Sequence, residues 1–194
     1  MSHEFEIDAK FLAALAEHDA EHVRRVQRDG CADCGGPLDR ADYPRKAQGV
    51  AGESADVCAR RLSLCCRCEG CRKRATPPSL RFLGRKVYIA VVVIIASAAG
   101  RTTPLLGRGR ARTVQGVPLR TVRRWLSWWQ TAFALGVFWT EAKSFFASPV
   151  EVNELPASLL ERFDGARSLA LERMLRFIAP ITTTSVRASI AMVE

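Results

Sequence analysis

The chain has 194 residues, of which 48% are hydrophobic, so it can bury a core and wholesale disorder is excluded. Its formal net charge is +9, and the charge is segregated along the chain. Residues 70–140 contain 13 Lys or Arg and no Asp or Glu, whereas the remainder holds 16 basic and 20 acidic residues. This segregation predicts a polyanionic partner such as nucleic acid or anionic lipid.

The compartment can be predicted from the first residues and from the cysteines. The acidic stretch that opens the sequence is not followed by the apolar segment of a signal peptide, which predicts a cytoplasmic protein. Thiols stay reduced in the cytosol, so the seven cysteines are better interpreted as metal ligands than as disulfides.

The pattern of residues 5–29 predicts a helix. Apolar residues including Leu12, Leu15 and Val23 recur near helical spacing, and Gly30 stands where a C-cap would end the helix. His18 and His22 lie four residues apart, a spacing that could ligate a metal. The favoured interpretation is two polar residues on a solvated face.

A set of closely spaced cysteines predicts a tetrahedral four-thiolate zinc site. Cys31 and Cys34 form a Cys-x2-Cys pair, followed by two glycines that let the backbone double back. The second half of the site is ambiguous, because both Cys68-x2-Cys71 and Cys66-x4-Cys71 are suitable spacings. The predicted metal ligands are Cys31, Cys34, Cys66, Cys68 and Cys71, with Cys66 and Cys68 competing for the fourth position.

A short strand over residues 61–64 is predicted to lead into the second cysteine group. If Leu62 and Leu64 face the core, Cys66 shares their side and Cys65 points away. Cys68 shares that side only if the strand persists. The alternative to a metal site is a group of buried free thiols. Neither a deaminase signature nor the α/β context of a redox Cys-x-x-Cys is present.

Basic residues directly follow the cysteines. Arg72, Lys73 and Arg74 come after Cys71, where a zinc knuckle would hold them in position for phosphate contact. The alternative is a merely solvated basic face.

The residues from 87 to 99 are the most apolar in the chain, but about 20 Å of helix is short of the roughly 30 Å hydrocarbon core. We therefore predict a buried helix ending at Gly100, and no membrane partner.

Residues 110–125 have the pattern of helix, glycine turn and helix. Pro118 suits the first turn of the second helix, and Leu119, Val122, Leu126 and Trp129 form one apolar face. The basic side chains fall largely on the other side and could enter a major groove. Predicted DNA-binding residues are Arg72, Lys73, Arg74, Arg110, Arg112, Arg120, Thr121, Arg123 and Arg124. An amphipathic helix with a solvated basic edge is the alternative.

The C-terminal part is rich in aromatic residues between 125 and 146, which are interpreted as core rather than as a base-stacking platform. Short amphipathic helices are predicted over 157–163 and 166–177, and residues 181–194 are expected to fray.

The predicted segments are an N-terminal helix (1–30), a zinc-ribbon-like domain (31–78), a helix-turn-helix domain (79–148) and a helical extension (149–194). The predicted fold class is mainly α with a small β zinc ribbon.

The Gly116-Val117 turn followed by Thr121-Val-Arg-Arg-Trp125 resembles the helix-turn-helix of bacterial transposases, although Pro118 replaces the commoner Ser or Thr N-cap. With the cysteines, residues 31–130 resemble the N-terminal DNA-binding region of insertion-sequence transposases. This resemblance implies binding to transposon ends. The 65 residues after Trp129 are too few for the nuclease domain of such enzymes.

These observations predict a non-enzymatic, zinc-stabilised, sequence-specific double-stranded DNA-binding protein. It would act as an accessory protein or repressor of a mobile element, or be a truncated transposase. A transposase or a second copy of the chain would be its protein partner, and no small-molecule substrate is expected. The alternative is a zinc-dependent protein-interaction module without nucleic-acid binding, and an enzyme is the remaining class.

Overall fold

The computed structural model describes residues 7–84, 86–102, 113–114 and 116–183, which form two compact units. One unit comprises the described residues up to Ile89 and those from Leu175 onward; the other runs from Ala90 to Met174. The four segments predicted from the sequence do not coincide with these units. The first helix and the cysteine-bearing region belong to the same unit.

About half of the described chain is helical, and the strands pair into small antiparallel sheets. The helices are α1 (Ala9–Asp29), α2 (Glu53–Val57), α3 (Ala90–Thr102), α4 (Leu119–Trp128), α5 (Val137–Ala142), α6 (Ala157–Leu160) and α7 (Arg167–Ile178). The strands are β1 (Leu38–Arg40), β2 (Tyr43–Pro44), β3 (Arg60–Arg61), β4 (Leu64–Cys66), β5 (Arg74–Ala75), β6 (Thr113–Val114) and β7 (Val117–Pro118). This architecture is consistent with the predicted mainly α fold.

Helix α1 begins and ends with well-defined caps. The Asp8 side chain accepts a hydrogen bond from the backbone N–H of Phe11 at 2.7 Å, which satisfies one of the free donors at the helix start. Gly30 ends the helix with φ of +79°, and its N–H donates to the carbonyl of Val26. The predicted helix is therefore confirmed from Ala9 to its C-cap, and residues 1–6 lie outside the described part.

A three-stranded antiparallel sheet of order β1-β4-β5 follows helix α1. Leu38 pairs with Cys66, and Leu64 pairs with Ala75. Val23 of α1 packs against this sheet in a small cluster of buried residues that also contains Cys31. The strand predicted over residues 61–64 is wrong at residues 62 and 63, which lie in no strand; β3 ends at Arg61, and β4 begins at Leu64 and contains the cysteines Cys65 and Cys66. The segment predicted to be irregular between the cysteine groups contains β1, β2, α2 and β3.

A buried ion pair links α1 to the segment that follows the sheet. Asp19 is fully buried and accepts hydrogen bonds from Ser79 Oγ and the Leu80 N–H, both at 2.6 Å, and from Arg81 Nε at 2.9 Å. Arg81 also donates to the carbonyl of Val57. Arg81 belongs to the acid-free basic stretch, but its charge is neutralised inside the protein. It therefore stabilises the fold and is not free for phosphate contact.

In the second unit, α3 forms a buried helix, as its length and apolar content predicted. Val93, Ile94 and Ala96 are fully buried, and the helix continues to Thr102 instead of ending at Gly100. A Cβ on Gly100 would lie 2.6 Å from Val122 Cγ1, so the glycine allows α3 and α4 to pack closely. No described helix has the length and apolarity needed to cross a membrane.

The prediction of a helix before the glycine turn is wrong at Thr113 and Val114. These residues form strand β6, which pairs with β7 in a hairpin whose register places Val114 opposite Val117. Gly116 has φ of +70°, a left-handed conformation that suits a short hairpin loop. Two β-branched residues before the glycine favour extended backbone, and pairing with Val117 stabilises it. Residues 110–112 and 115 lie outside the described part.

Helix α4 follows the hairpin directly, as predicted for the second helix of the motif. Its buried residues are Val122, Trp125 and Leu126, and the chain continues through a π-helical turn, Trp129–Phe133. The Trp129 and Phe133 rings meet edge to face with centroids 4.8 Å apart. The interpretation of the aromatic residues between 125 and 146 as core is confirmed for Trp125, Trp129, Phe133 and Trp139, which are buried, but not for Phe145, which is 53% exposed.

The C-terminal helices occur within the predicted segments. Helix α6 covers the first turn of predicted helix 157–163, and α7 matches predicted helix 166–177 within one residue at each end. A 3₁₀ helix, Ala179–Thr182, follows α7. The fraying expected for residues 181–194 falls largely on residues 184–194, which lie outside the described part.

Candidate metal centre

The first group of cysteines lies in a tight turn that begins where α1 ends. The Cys31 N–H donates to the carbonyl of Gly36, and the Gly35 N–H donates to the carbonyl of Cys31, each at 2.8 Å. Gly35 adopts φ of +70°, which glycine reaches without a steric penalty. The two glycines thus reverse the chain after Cys34, as their position in the sequence predicted.

The second group lies at the end of β4 and in the turn that follows it. The Cys66 N–H donates to the carbonyl of Lys73 at 2.8 Å, which holds the two arms of the turn together. Within the turn, the N–H groups of Cys71 and Arg72 both donate to the carbonyl of Cys68 at 3.0 Å. Cys66 and Cys71 are thereby placed on the same side of the turn, facing the first cysteine turn.

Four sulfurs meet between these two turns. The Sγ atoms of Cys31, Cys34, Cys66 and Cys71 all lie within 4.8 Å of one another. Cys31 Sγ is 3.7 Å from Cys71 Sγ, and Cys34 Sγ is 3.4 Å from Cys66 Sγ. Tetrahedral Zn–S bonds of about 2.3 Å imply S···S separations of about 3.8 Å. The cluster therefore has the dimensions of a tetrahedral metal site and could hold a metal ion.

The surroundings of the sulfurs affect their ionisation in opposite directions. Backbone N–H groups of Asp33 and Cys34 hold the pKa of the Cys31 thiol below its usual range, at about 7. Burial raises the pKa of the Cys66 thiol. A buried thiol that resists ionisation can bind a metal as thiolate because the cation compensates its charge.

Cys68, the competitor for the fourth position, does not belong to the four-sulfur group. Strand β4 ends at Cys66 and the chain then turns, so the alternation that placed Leu64 and Cys66 on the core side does not extend to Cys68. Cys68 is exposed, whereas Cys66 is fully buried. The structure thus favours Cys66 as the fourth donor, in agreement with the alternation argument, and it leaves Cys65 outside the group as well.

Neither histidine of α1 joins the sulfurs. His22 Nδ1 lies 3.4 Å from the carbonyl oxygen of Pro78, and burial lowers the pKa of His22. His18 Nε2 lies 2.5 Å from Arg176 Nη2. Both side chains contact other parts of their own unit, which places them in the fold rather than in the metal centre.

No protein-family model, curated protein or solved structure matches this chain.

The basic residues of the second turn have different surroundings. Arg72 is exposed and has φ of +47°. Lys73 Nζ pairs with Asp33 at 2.6 Å and so links the two cysteine turns at the surface. Arg74 donates to the carbonyl of Ala41 at 2.8 Å, and its guanidinium lies over the Tyr43 ring. Arg74 therefore supports the sheet, a role that neither the predicted phosphate contact nor the alternative of a solvated basic face included.

The basic residues of α4 lie on its exposed side. Arg120, Arg123 and Arg124 are exposed, while Thr121 is half-buried. Val122 and Trp125 occupy the opposite, buried face. The separation of basic and apolar residues predicted for this helix is confirmed. Arg110 and Arg112, the other predicted contacts of this region, lie outside the described part.

Two features of functional interest were missed by the sequence argument. Asp33, next to Cys34, pairs with Lys73, and Asp39 pairs with Arg67 across β1 and the second turn at 2.5 Å. Long-range ion pairs of this kind have no local sequence signal. The exposed Leu135 and Val137 were also missed, although two apolar residues flanking Gly136 are a recognisable signal of an exposed apolar turn.

Proposed function

We propose that the protein is a zinc-stabilised, sequence-specific double-stranded DNA-binding protein in which α4 is the recognition helix. The observation that carries this proposal is the division of α4 into an apolar buried face and an exposed face with three arginines. A surface helix needs an apolar face for the core, but nothing in folding requires three like charges on the other. Arginine is the residue that most often reads guanine in the major groove.

The arrangement on α4 suits groove binding. Arg120, Arg123 and Arg124 are spaced i, i+3 and i+4, so they project from one side of the helix. The major groove is about 12 Å wide and admits one α-helix. Arginines at this spacing could contact adjacent base pairs or a base and a flanking phosphate. In the other unit, Arg72 adds an exposed cation beside the metal centre.

Zinc is the metal that best suits the four-sulfur group. Four cysteines at tetrahedral separations, with no carboxylate or imidazole of the described residues in the group, are typical of structural zinc sites. Such a site has no open position for substrate, so the metal would hold the two turns together and would not take part in a reaction. We therefore propose a binding protein, not an enzyme.

The proposed biological role is based on the resemblance of the Gly116-Val117 turn, the Thr121–Trp125 segment and the cysteines to the DNA-binding region of insertion-sequence transposases. On this basis we propose that the protein serves a mobile element, as an accessory protein, a repressor or a shortened transposase. A transposase or a second copy of the chain would be its protein partner.

Replacement of Arg120 or Arg124 by alanine is expected to weaken binding to selected DNA by about 1–3 kcal/mol, because a side chain that reads a base loses its hydrogen bonds. The DNA would be a duplex selected by the wild-type protein from a random pool, and affinity would be measured by fluorescence anisotropy. Arg167→Ala is the matched control, since Arg167 is also exposed and basic but starts α7. It should bind the selected duplex nearly as well as the wild type.

Arg124→Lys gives a further distinction, because lysine keeps the charge but loses the bidentate geometry of the guanidinium. If Arg124 reads a base, the lysine variant should lose preference for the selected duplex while keeping its affinity for random duplex. Normal binding by both alanine variants would show that α4 is not the recognition helix.

A protein-interaction module is the second candidate, favoured by exposed apolar side chains in the second unit. Leu135 is 82% exposed and Val137 is 74% exposed, on either side of the turn at Gly136. Two exposed apolar side chains this close in sequence could form the centre of an apolar contact with another protein. If the zinc-loaded protein failed to bind duplex DNA at low salt, protein interaction would be the remaining proposed function.

A further inference from the structure

A fifth thiol, outside the four-sulfur group, lies against the metal centre at Gly36. The position that a Cβ on Gly36 would occupy is 2.3 Å from Cys68 Sγ, 3.3 Å from Cys34 Sγ and 3.6 Å from Cys66 Sγ. Three sulfurs therefore surround the face of Gly36 that lacks a side chain. Cys68 Sγ and Cys34 Sγ can therefore be no farther apart than the first two of these distances added together, which places the two sulfurs close to each other.

The other cysteines outside the group have different surroundings. Cys65 Sγ lies 3.4 Å from the carbonyl oxygen of Arg72, on the opposite side of β4 from Cys66. Cys58 is fully buried. Only Cys68, among the described cysteines outside the group, is exposed and lies against the group's sulfurs. Cys34 is the exposed member of the four, so the two thiols that meet at Gly36 are both open to solvent.

We propose that Cys68 is a resolving thiol that forms a reversible disulfide with Cys34 when the protein meets a peroxide. The inference rests on the metal-binding part of the proposed function. In the first step the Cys34 sulfur attacks hydrogen peroxide; an S–O bond forms, the O–O bond breaks and hydroxide leaves, giving a sulfenic acid. In the second step the Cys68 sulfur attacks the Cys34 sulfur; the S–S bond forms, the S–O bond of the sulfenic acid breaks, and the departing hydroxide takes the Cys68 thiol proton to leave as water.

Electrons and protons balance in this sequence. The Cys34 thiolate and the Cys68 thiol together lose two electrons, and the peroxide takes up these electrons with the thiol proton and one proton from solvent to give two molecules of water. The centre then offers three thiolates instead of four, so zinc is held less tightly and is released. A dithiol reductant reverses the disulfide and restores the fourth donor. Capture by Cys68 also prevents the sulfenic acid from being oxidised to sulfinic acid, which thiols cannot reduce.

The test compares wild type, Cys68→Ser and Cys65→Ser as full-length, zinc-loaded proteins. Each is treated with hydrogen peroxide, and released zinc is followed with a chromogenic chelator. Dithiothreitol and zinc are then added, and the recovered metal content is measured. Peptide mass spectrometry locates any disulfide. Wild type and Cys65→Ser should form the Cys34–Cys68 disulfide and recover most of their zinc, whereas Cys68→Ser should recover several-fold less and carry sulfinic acid at Cys34.

Recovery by Cys68→Ser equal to that of wild type would overturn the proposal, as would a disulfide that joins Cys65 instead. Cys68→Ala, which removes the serine hydroxyl as a weak donor, should behave like Cys68→Ser; equal zinc content of all variants before peroxide shows that they are folded at the centre. Because metal and disulfide are measured, and not DNA, failure here leaves DNA binding intact. A wild type that holds no zinc before peroxide would instead contradict the metal part of the proposed function.

Discussion

Removal of zinc by a chelator is expected to unfold the three-stranded sheet of the first unit. Strands β1, β4 and β5 have only two or three residues each, too few to be stable by pairing alone. Two of the proposed ligands, Cys31 and Cys66, belong to the buried cluster that joins the sheet to α1. Without a cation, the clustered sulfurs lose the bond that holds both turns together.

The expected effect is large in comparison with the stability of a domain. Zinc contributes about 10–16 kcal/mol in small zinc-binding peptides, and whole domains are stable by about 5–15 kcal/mol. Amide hydrogen exchange is the measurement. The N–H groups of Cys31 and Cys66, both hydrogen bonded within the turns, should exchange faster after chelation, while those of α4 in the other unit serve as an internal reference.

Adjacent cysteines provide a matched control for this prediction. Cys66→Ser removes a buried donor of the four-sulfur group, whereas Cys65→Ser changes the neighbouring thiol outside it. We expect Cys66→Ser to lose zinc and sheet protection, and Cys65→Ser to retain one zinc ion per chain. Slow exchange at Cys31 and Cys66 after complete chelation would contradict a structural role for the metal.

Asp19→Asn is expected to destabilise the first unit by about 3–5 kcal/mol, because it leaves the buried Arg81 guanidinium without a carboxylate. Both side chains are almost fully buried, at 0% and 5% exposure, so solvent cannot replace the lost charge. Asn keeps the shape of Asp and can still accept hydrogen bonds from the Leu80 N–H. The decrease in the free energy of unfolding would therefore measure the contribution of the negative charge of Asp19. Chemical denaturation followed by circular dichroism would determine this free energy.

Glu17→Gln is the control for this variant, since Glu17 also pairs with an arginine but on the exposed side of α1. Exposed pairs contribute little because water solvates both charges, so its unfolding transition should match that of wild type. Replacing both Asp19 and Arg81 by apolar residues of similar size should cost less than Asp19→Asn. An Asp19→Asn transition equal to that of Glu17→Gln would show that the buried pair is not needed.

The four-sulfur group was largely predictable because its cysteines obey local rules. The Cys31 turn follows from cysteine spacing and Gly35-Gly36. Cys66 could be favoured over Cys65 because the alternation of side chains along a strand places Cys66 on the same side as Leu64. The choice between Cys66 and Cys68 stayed open because it depends on where β4 ends, and the turn's hydrogen bonds to the Cys68 carbonyl decide that.

Features that depend on distant contacts were not predictable. In the sequence, Asp19 has the pattern of an exposed acidic residue on an amphipathic helix. Its hydrogen-bond partners lie about sixty residues away in the sequence. The error at Thr113 and Val114 has a different cause. The residues before Gly116 were interpreted as the end of a helix, but the β-branched residues on both sides of Gly116 are also typical of a β-hairpin. The pairing of Val114 with Val117 stabilises the hairpin instead of the helix.

The central claim, that the zinc-loaded protein binds duplex DNA, is tested most directly by a salt titration of its affinity. Arg120, Arg124 and the other exposed cations would displace counterions from DNA phosphates, so the logarithm of the association constant should fall linearly and steeply with the logarithm of salt concentration. The selected duplex should retain an advantage over random duplex at every salt concentration. Absence of binding to either duplex at low salt, with zinc bound, would contradict the proposed function.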